Sequence, residues 1–310
     1  MQSETSERGY PPGLAPTAGR NARLRQLIDG GGIVVAPGAF DCITARLVDK
    51  AGFPALYITG SGLSMSRLGA PDVGLMSATE MADQVRRIAD VATVPVIADA
   101  DTGYGGPLNV IRTVRDYERA GVSAIQIEDQ AWPKKCGHEP DRRLVDLEEM
   151  TGRIKAAADA RDDADFLIIA RTDARTTLGI EAAIDRALAC GEAGADVLFV
   201  ESPESDAEMA RINERIESPT LANMVEGGRT PLLPADRLAA LGYAIAIFPN
   251  SLTRLLGHVG QEMLATLKAE GTTTAWHNRM LDHRGLWDLF DYPDWISVEG
   301  RFPGTGGGKE

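Results

Sequence analysis

The feature that most constrains this chain is a repeat. Four times a small or apolar residue and a glycine lead into a short strand-like run: AGFPALYIT from Ala51, AGVSAIQIE from Ala120, AGADVLFVE from Ala193 and LGYAIAIFP from Leu241. Each run follows a segment of helical periodicity. A glycine just past a helix can take the left-handed conformation that ends it, after which the chain enters a buried strand. GIVVAP from Gly32, VPVIADAD from Val94, FLIIARTD from Phe166 and TLANMVEG from Thr220 complete the set. These runs are nearly continuous in apolar residues rather than alternating, as parallel strands covered on both faces require. Strands starting near 33, 55, 94, 124, 166, 195, 220 and 243, with helices between them, predict an α/β fold of the (β/α)8 barrel type. A doubly wound open sheet is the weaker choice, because no GxGxxG follows the first strand. The expected organisation is a tail over 1–20, the barrel over 21–271, a helical extension over 272–302 and a second tail over 303–310.

Composition then excludes several classes of function. The 310 residues carry 32 Lys and Arg against 45 Asp and Glu, a formal charge of −13. Nucleic acid or an anionic membrane surface would demand a basic footprint, so neither is expected as a partner. The 3 cysteines, Cys42, Cys136 and Cys190, form no CxxC, which argues against a disulfide scaffold or a structural zinc site. Cys42 and Cys190 sit in helical patterns of small and apolar residues and read as core fillers. The first twenty residues are polar and rich in Pro and Gly, without the apolar stretch of a signal peptide. No apolar run approaches the ~18–20 residues that span a bilayer. The expectation is a soluble, cytoplasmic protein.

In a barrel of this type the active site lies at the carboxyl ends of the strands. Here those ends are polar or charged on six strands: Thr59-Gly60-Ser61 after Tyr57, then Asp99 and Asp101, Glu128, Arg171, Glu201, and Asn223 with Glu226 beyond. Single acidic residues there could cap the helices that follow, but helix caps do not account for so many. Asp99 and Asp101, two apart on one strand, are expected to point to the same side. With Glu128 on the next strand they form an all-oxygen cluster suited to a hard cation such as Mg2+, whereas zinc would want His or Cys. A solvated acidic rim, or a salt bridge to Arg171, is the alternative. Arg171 can clamp a carboxylate through a bidentate pair.

The loop after the fourth strand reads Trp132-Pro133-Lys134-Lys135-Cys136-Gly137-His138. Two lysines before the cysteine and a histidine after it favour thiolate, and Gly137 lets a substrate approach the backbone. The loop could also be a basic surface segment that happens to contain a cysteine.

Together, KKCGH at 134–138, IEDQ at 127–130 and DADTGYG at 99–105 resemble the isocitrate lyase and phosphoenolpyruvate mutase superfamily. The similarity runs from about residue 30 to 292 and includes NVIRTV at 109–114, ARTDA at 170–174 and LANMVEGGRTP at 221–231. It implies a Mg2+-dependent barrel, with Mn2+ able to substitute, whose C-terminal helices swap between subunits of a homodimer or homotetramer. The chain lacks the large insertions of isocitrate lyases and matches the methylisocitrate lyase and 2,3-dimethylmalate lyase branch in size. Carried over by position, Asp99 and Asp101 would bind the metal, with Asp72 and Glu128 reaching its waters. Thr59, Gly60 and Ser61 would cradle a 2-oxo acid carboxylate beside Tyr57, and Arg171, Glu201, Asn223 and Arg254 would make further substrate contacts. Cys136 would be catalytic, with Lys135, Gly137 and His138 in the same loop.

Two departures bear on the substrate. Thr59-Gly60-Ser61 replaces the Ser-Gly-Gly of methylisocitrate lyases, and His283 falls where those enzymes carry an arginine, with Arg284 next to it. LFVES at 198–202 and MVEGG at 224–228 look more like the dimethylmalate lyase and mutase branches, although the mutases lack the cysteine loop. The expected reaction cleaves a C–C bond in a 2-hydroxy di- or tricarboxylate. A base, with Tyr57 a candidate, removes the hydroxyl proton, and the Cys136 thiol protonates the leaving carbanion. Rival readings are an oxaloacetate decarboxylase and a metabolite-binding barrel without turnover. A Schiff-base aldolase would need a lysine on a strand, and the lysines at 50, 134, 135, 155, 268 and 309 include none there.

Overall fold

Eight strands run in parallel and curl into a barrel: β1 (Val34–Ala39), β2 (Leu56–Ile58), β3 (Val96–Asp99), β4 (Ala124–Glu128), β5 (Leu167–Thr172), β6 (Val197–Val200), β7 (Leu221–Asn223) and β8 (Ile245–Phe248). The computed structural model describes residues 9–15, 17–135, 137 and 142–302. The strand order is β6-β5-β4-β3-β2-β1-β8-β7, so β1 pairs with β8 and the sheet bends back on itself. Between β6 and β7 the closure narrows to one bridge, Leu198 to Thr220, with Leu198 N donating to Pro219 O at 2.9 Å. The expected barrel is therefore present and nearly closed. The glycines that open the four repeats, Gly52, Gly121, Gly194 and Gly242, all have positive φ (80°, 85°, 110° and 98°), the backbone state that the repeat demanded.

Alternation along the strands sorts the side chains into two cores. Leu56, Ile58, Ala98, Ile125, Ile127, Ile168 and Ala170 face outward and pack against the helical layer. Tyr57, Ile97, Ala124, Leu167, Ile169, Val197, Phe199 and Ile245 face inward and fill the barrel. Leu24 and Ile28, from the helix Arg20–Asp29, join this inner core. That helix closes the amino end of the barrel, so the inner layers are sealed below and open only at the carboxyl ends of the strands.

Beyond β8 the chain forms a long helix, Ser251–Glu270, with no fully buried residue. The extension past residue 272 continues as a 3-10 turn, Thr274–Arg279, and two short helices, His283–Leu289 and Tyr292–Glu299. The short helices lean on the outer helix Cys42–Lys50, where the Arg46 guanidinium reaches the Leu289 carbonyl and the Asp291 carboxylate. No helix among the described residues is long and apolar enough to cross a membrane.

Candidate active site

The inward positions change character as each strand approaches its carboxyl end. Ile97 is followed by Asp99, Gln126 by Glu128, Ile169 by Arg171, Phe199 by Glu201 and Leu221 by Asn223. All five of these end residues are buried or nearly so. Strand alternation aims them at the barrel axis, where they fall into an acidic corner and a paired corner.

The acidic corner is built around Asp99. Its Oδ1 accepts the Asp101 backbone N–H at 3.0 Å and lies 3.5 Å from Gln126 Nε2, while Gln126 Oε1 accepts the Tyr57 hydroxyl at 3.0 Å. The alignment of Asp99 with Asp101 does not come from strand alternation as expected. β3 ends at Asp99, and Asp101 sits in the turn beyond it with φ 49°, so a left-handed residue re-aims the second carboxylate. The Lys134 ammonium is buried between two carboxylates, 2.6 Å from Asp72 Oδ1 and ion-paired with Asp101. Burial alone would lower the Lys134 pKa, but Asp101, Asp72, Glu128 and Asp99 together raise it well above the ordinary value. Burial pushes Asp101 up to about 6 against the pull of Lys134.

In the paired corner Arg171 faces three carboxylates. Its Nε and Nη2 donate to the two oxygens of Asp173 at 3.0 and 2.9 Å, Nε lies 3.5 Å from Glu128, and Nη2 lies 3.4 Å from Glu201. Burial opposes the Arg171 charge, yet Asp173, Glu201 and Glu128 raise its pKa well above the ordinary value. Asn223 Nδ2 donates to Glu201 Oε2 at 2.9 Å, and the Ser202 hydroxyl bridges Glu201 Oε1 to the Gly137 carbonyl. Burial also carries Glu128 well above the usual carboxylate range, and its Oε1 has no hydrogen-bond partner among the described residues.

Two glycines leave room where the corners meet the chain. A Cβ on Gly60 would stand 2.7 Å from Asp99 Oδ2, and one on Gly137 would stand 2.1 Å from Arg171 Nη2. Thr59 caps the helix Gly60–Leu68 by accepting the Gly62 N–H, so the amides of Gly60 and Ser61 open that helix beside Asp99.

The structure thus brings together Tyr57, Thr59, Gly60, Ser61, Asp72, Asp99, Asp101, Glu128, Gly137, Arg171, Glu201 and Asn223 at one barrel mouth. Cys136 and His138 lie outside the described residues. Lys135 departs from expectation: it is exposed, and its backbone is held by Gln130 through two hydrogen bonds of 3.0 and 2.9 Å. Its neighbour Lys134 is the lysine that enters the site. In two adjacent lysines the sequence carries no signal for which one turns inward. Gln126 was also missed, although its position two before Glu128 on a strand could have revealed it. Arg254 is exposed in the first turn of the helix Ser251–Glu270. Tyr57 is a poor base, because burial and then Asp99 raise its pKa well above the ordinary phenol. Cys190 is buried as expected, with its thiol pushed up to about 12, while Cys42 is only half-buried.

The four proposed metal residues do not converge on one point. Among the described residues no three His, Cys, Asp or Glu side chains form a metal-binding group. Asp72 is engaged by Lys134 and Glu128 faces Arg171. Asp101 shares the Lys134 ammonium with Asp72, yet it stands beside Asp99, and these two still fit Mg2+, which takes one or two carboxylates and keeps several waters. The unpartnered Glu128 Oε1 adds an oxygen acceptor suited to such a water.

Comparisons with known proteins agree with this geometry. The family described as phosphoenolpyruvate phosphomutase matches residues 24–268. A 2,3-dimethylmalate lyase from Eubacterium barkeri is 53% identical over 86% of this chain and 93% of its own. A 2-methylisocitrate lyase from Aeropyrum pernix is 43% identical over 88% and 87%. Among solved structures, an oxaloacetate acetylhydrolase bound to 3,3-difluorooxalacetate superposes with a TM-score of 0.89 at 34% identity, covering 94% of this chain and 99% of that one. A 2,3-dimethylmalate lyase superposes at 0.87 with 35% identity, covering 94% and 98%. With the barrel, the charged strand ends and these relatives in agreement, the chain belongs to the phosphoenolpyruvate mutase and isocitrate lyase superfamily, as an enzyme whose relatives are named as lyases.

Proposed function

We propose that the protein is a Mg2+-dependent lyase that cleaves a C–C bond in a 2-hydroxy dicarboxylate of the 2,3-dimethylmalate type, releasing a 2-oxo acid and a carboxylate. The observation that carries this reading is the pairing of two unlike charge centres at one mouth: Asp99 with Asp101, and Arg171. A divalent cation held by Asp99 and Asp101 would supply Lewis-acid polarisation of the substrate's oxygen atoms. Arg171 binds a substrate carboxylate, and the Gly60 and Ser61 amides favour a second negative group. The Tyr57 hydroxyl, kept protonated, serves as a donor rather than a base. The substrate hydroxyl gives its proton to a base as its oxygen becomes the carbonyl of the 2-oxo acid. The electron pair of the breaking C–C bond passes to the departing carboxylate fragment as an enediolate, which the Cys136 thiol protonates. Two facts support Cys136 in that role: it is flanked by the pinned Lys135 backbone and by Gly137, which lies against Arg171 and Glu201. Lys134 is no Schiff-base nucleophile, because Asp101 and Asp72 hold it as an ammonium.

A panel of 2,3-dimethylmalate, methylisocitrate, isocitrate and oxaloacetate, assayed with Mg2+ for 2-oxo acid formation, tests the reading. We expect dimethylmalate to exceed methylisocitrate in kcat/KM by about tenfold or more, since each ~1.4 kcal/mol is tenfold and an unpaired buried carboxylate costs more than that. His283, where methylisocitrate lyases carry an arginine, is exposed and lies against Trp287. A tenfold preference for methylisocitrate would overturn the dicarboxylate assignment, and turnover of oxaloacetate alone would overturn the lyase.

The reading includes a cytoplasmic homo-oligomer, dimer or tetramer. Leu255, Leu256, Leu264 and Leu267 are exposed on the helix Ser251–Glu270. Its start borders an apolar groove of about 390 Å³ lined by Val35, Leu47, Val48, Phe53 and Phe248. In this reading the exposed leucines and the groove pack against a second copy of the chain. Light scattering should report more than one chain per particle, and a monomer at micromolar concentration would refute the pairing.

A further inference from the structure

Asp173, one residue past the end of β5, is completely buried and accepts both donors of the Arg171 fork. A second guanidinium reaches the same carboxylate from a different segment. Arg142, on the chain between β4 and the helix Leu147–Ala160, ion-pairs with Asp173 Oδ1 and donates to the Thr176 hydroxyl. Its side chain is 0% exposed, as is that of Asp173. None of the site residues expected from the sequence explains why a buried arginine stands there.

Charge counting supplies a reason. Arg171 lies against Asp173 and Glu201, and one guanidinium cannot neutralise both carboxylates. A further anion brought to Arg171 would meet net repulsion in a medium that screens poorly. With Arg142 on its other side, Asp173 is neutralised from two directions. Asp173 can then hold the plane of the Arg171 fork without consuming its whole charge.

We propose that Arg142 is a positioning residue for substrate: through Asp173 it keeps the charge of Arg171 available to a substrate carboxylate. This rests on the reading of Arg171 as the carboxylate contact and adds the residue on which that contact depends. Arg142 does not touch the substrate. Its effect is a coupling between two buried cations through one shared anion, and such couplings are commonly worth 5–150-fold in affinity.

The test is oxalate binding by calorimetry on the full chain with Mg2+, which needs no turnover. Arg142→Gln, which removes the charge and can keep a hydrogen bond, should raise the oxalate Kd at least ~10-fold. Arg142→Lys, which keeps the charge and loses the fork to Thr176, should recover most of that loss. A merely structural fork would be damaged equally by both. In an Asp173→Asn background, adding Arg142→Gln should change Kd less than ~3-fold, because the anion it answers is gone. If the single Arg142→Gln chain does not fold, this double variant, which buries no unpaired charge, carries the test. Unchanged oxalate binding in Arg142→Gln, or an equal effect in both backgrounds, would overturn the proposal and leave the lyase reading intact. Wild-type protein that fails to bind oxalate would overturn the carboxylate site and this inference with it.

Discussion

The two ends of the barrel use the same strands in opposite ways. At the amino end the inward positions are Ala124, Leu167, Val197, Leu221 and Ile245, sealed by Leu24 and Ile28. At the carboxyl end, two to four residues further along, they are Glu128, Arg171, Glu201 and Asn223. Two to four residues on a strand cover only about 7–14 Å. Over that span the interior passes from close-packed apolar contact to ionised groups whose desolvation must be offset by each other. The amino end stabilises the fold, and the carboxyl end holds charges the fold tolerates because they are paired. Chemistry and stability should therefore be separable by substitution.

The sharpest break is removal of the cation. Dialysis against EDTA should abolish turnover, and Mg2+ or Mn2+ should restore it, while the unfolding transition stays a single step. Full activity in excess EDTA would remove the metal from the carboxyl end altogether. Next in size, Cys136→Ser should lower kcat at least ~100-fold, the lower end for loss of a general acid. Its melting temperature should stay close to wild type, and an unchanged kcat would place the proton donor elsewhere.

The converse effect belongs to the sealed end. Leu24, fully buried against the inner core, should cost about 2–5 kcal/mol on Leu24→Ala, read by urea unfolding. kcat/KM below the transition should remain near wild type, and a parallel loss would show that the ends are coupled. The smallest effect is expected of Cys42→Ser. Cys42 opens an outer helix, half-buried, with its thiol on the Arg87 carbonyl. A loss like that of Cys136→Ser would mean that the wrong thiol has been chosen.

Much of this was legible beforehand because it depends on local rules. A glycine that must leave a helix, followed by an apolar run, announces a βα repeat wherever it occurs, and the observed strands begin within two residues of the expected starts. Polar residues at strand ends are equally local, so the mouth of the barrel could be listed residue by residue. The errors fall where an extra turn or a choice of side intervenes. Asp101 lies one turn beyond its strand, and its aim depends on a left-handed φ that strand alternation cannot anticipate. Lys134 and Lys135 are chemically identical neighbours, and only the position of Asp72 and Asp101 draws one of them inward.

The sequence by itself determined the architecture and the polar strand ends at the barrel mouth, because helix ends, strand burial and alternation are properties of neighbours along the chain. Pairing was decided only by the tertiary structure. Lys134 with Asp72 spans 62 positions, and Arg142 with Asp173 spans 31. A carboxylate in a sequence is the same group whether it will hold a metal, neutralise an arginine or meet a lysine. Which of these it does depends on the charges that folding brings within a few ångströms of it, since in a buried, weakly screened interior the nearest opposite charge dominates.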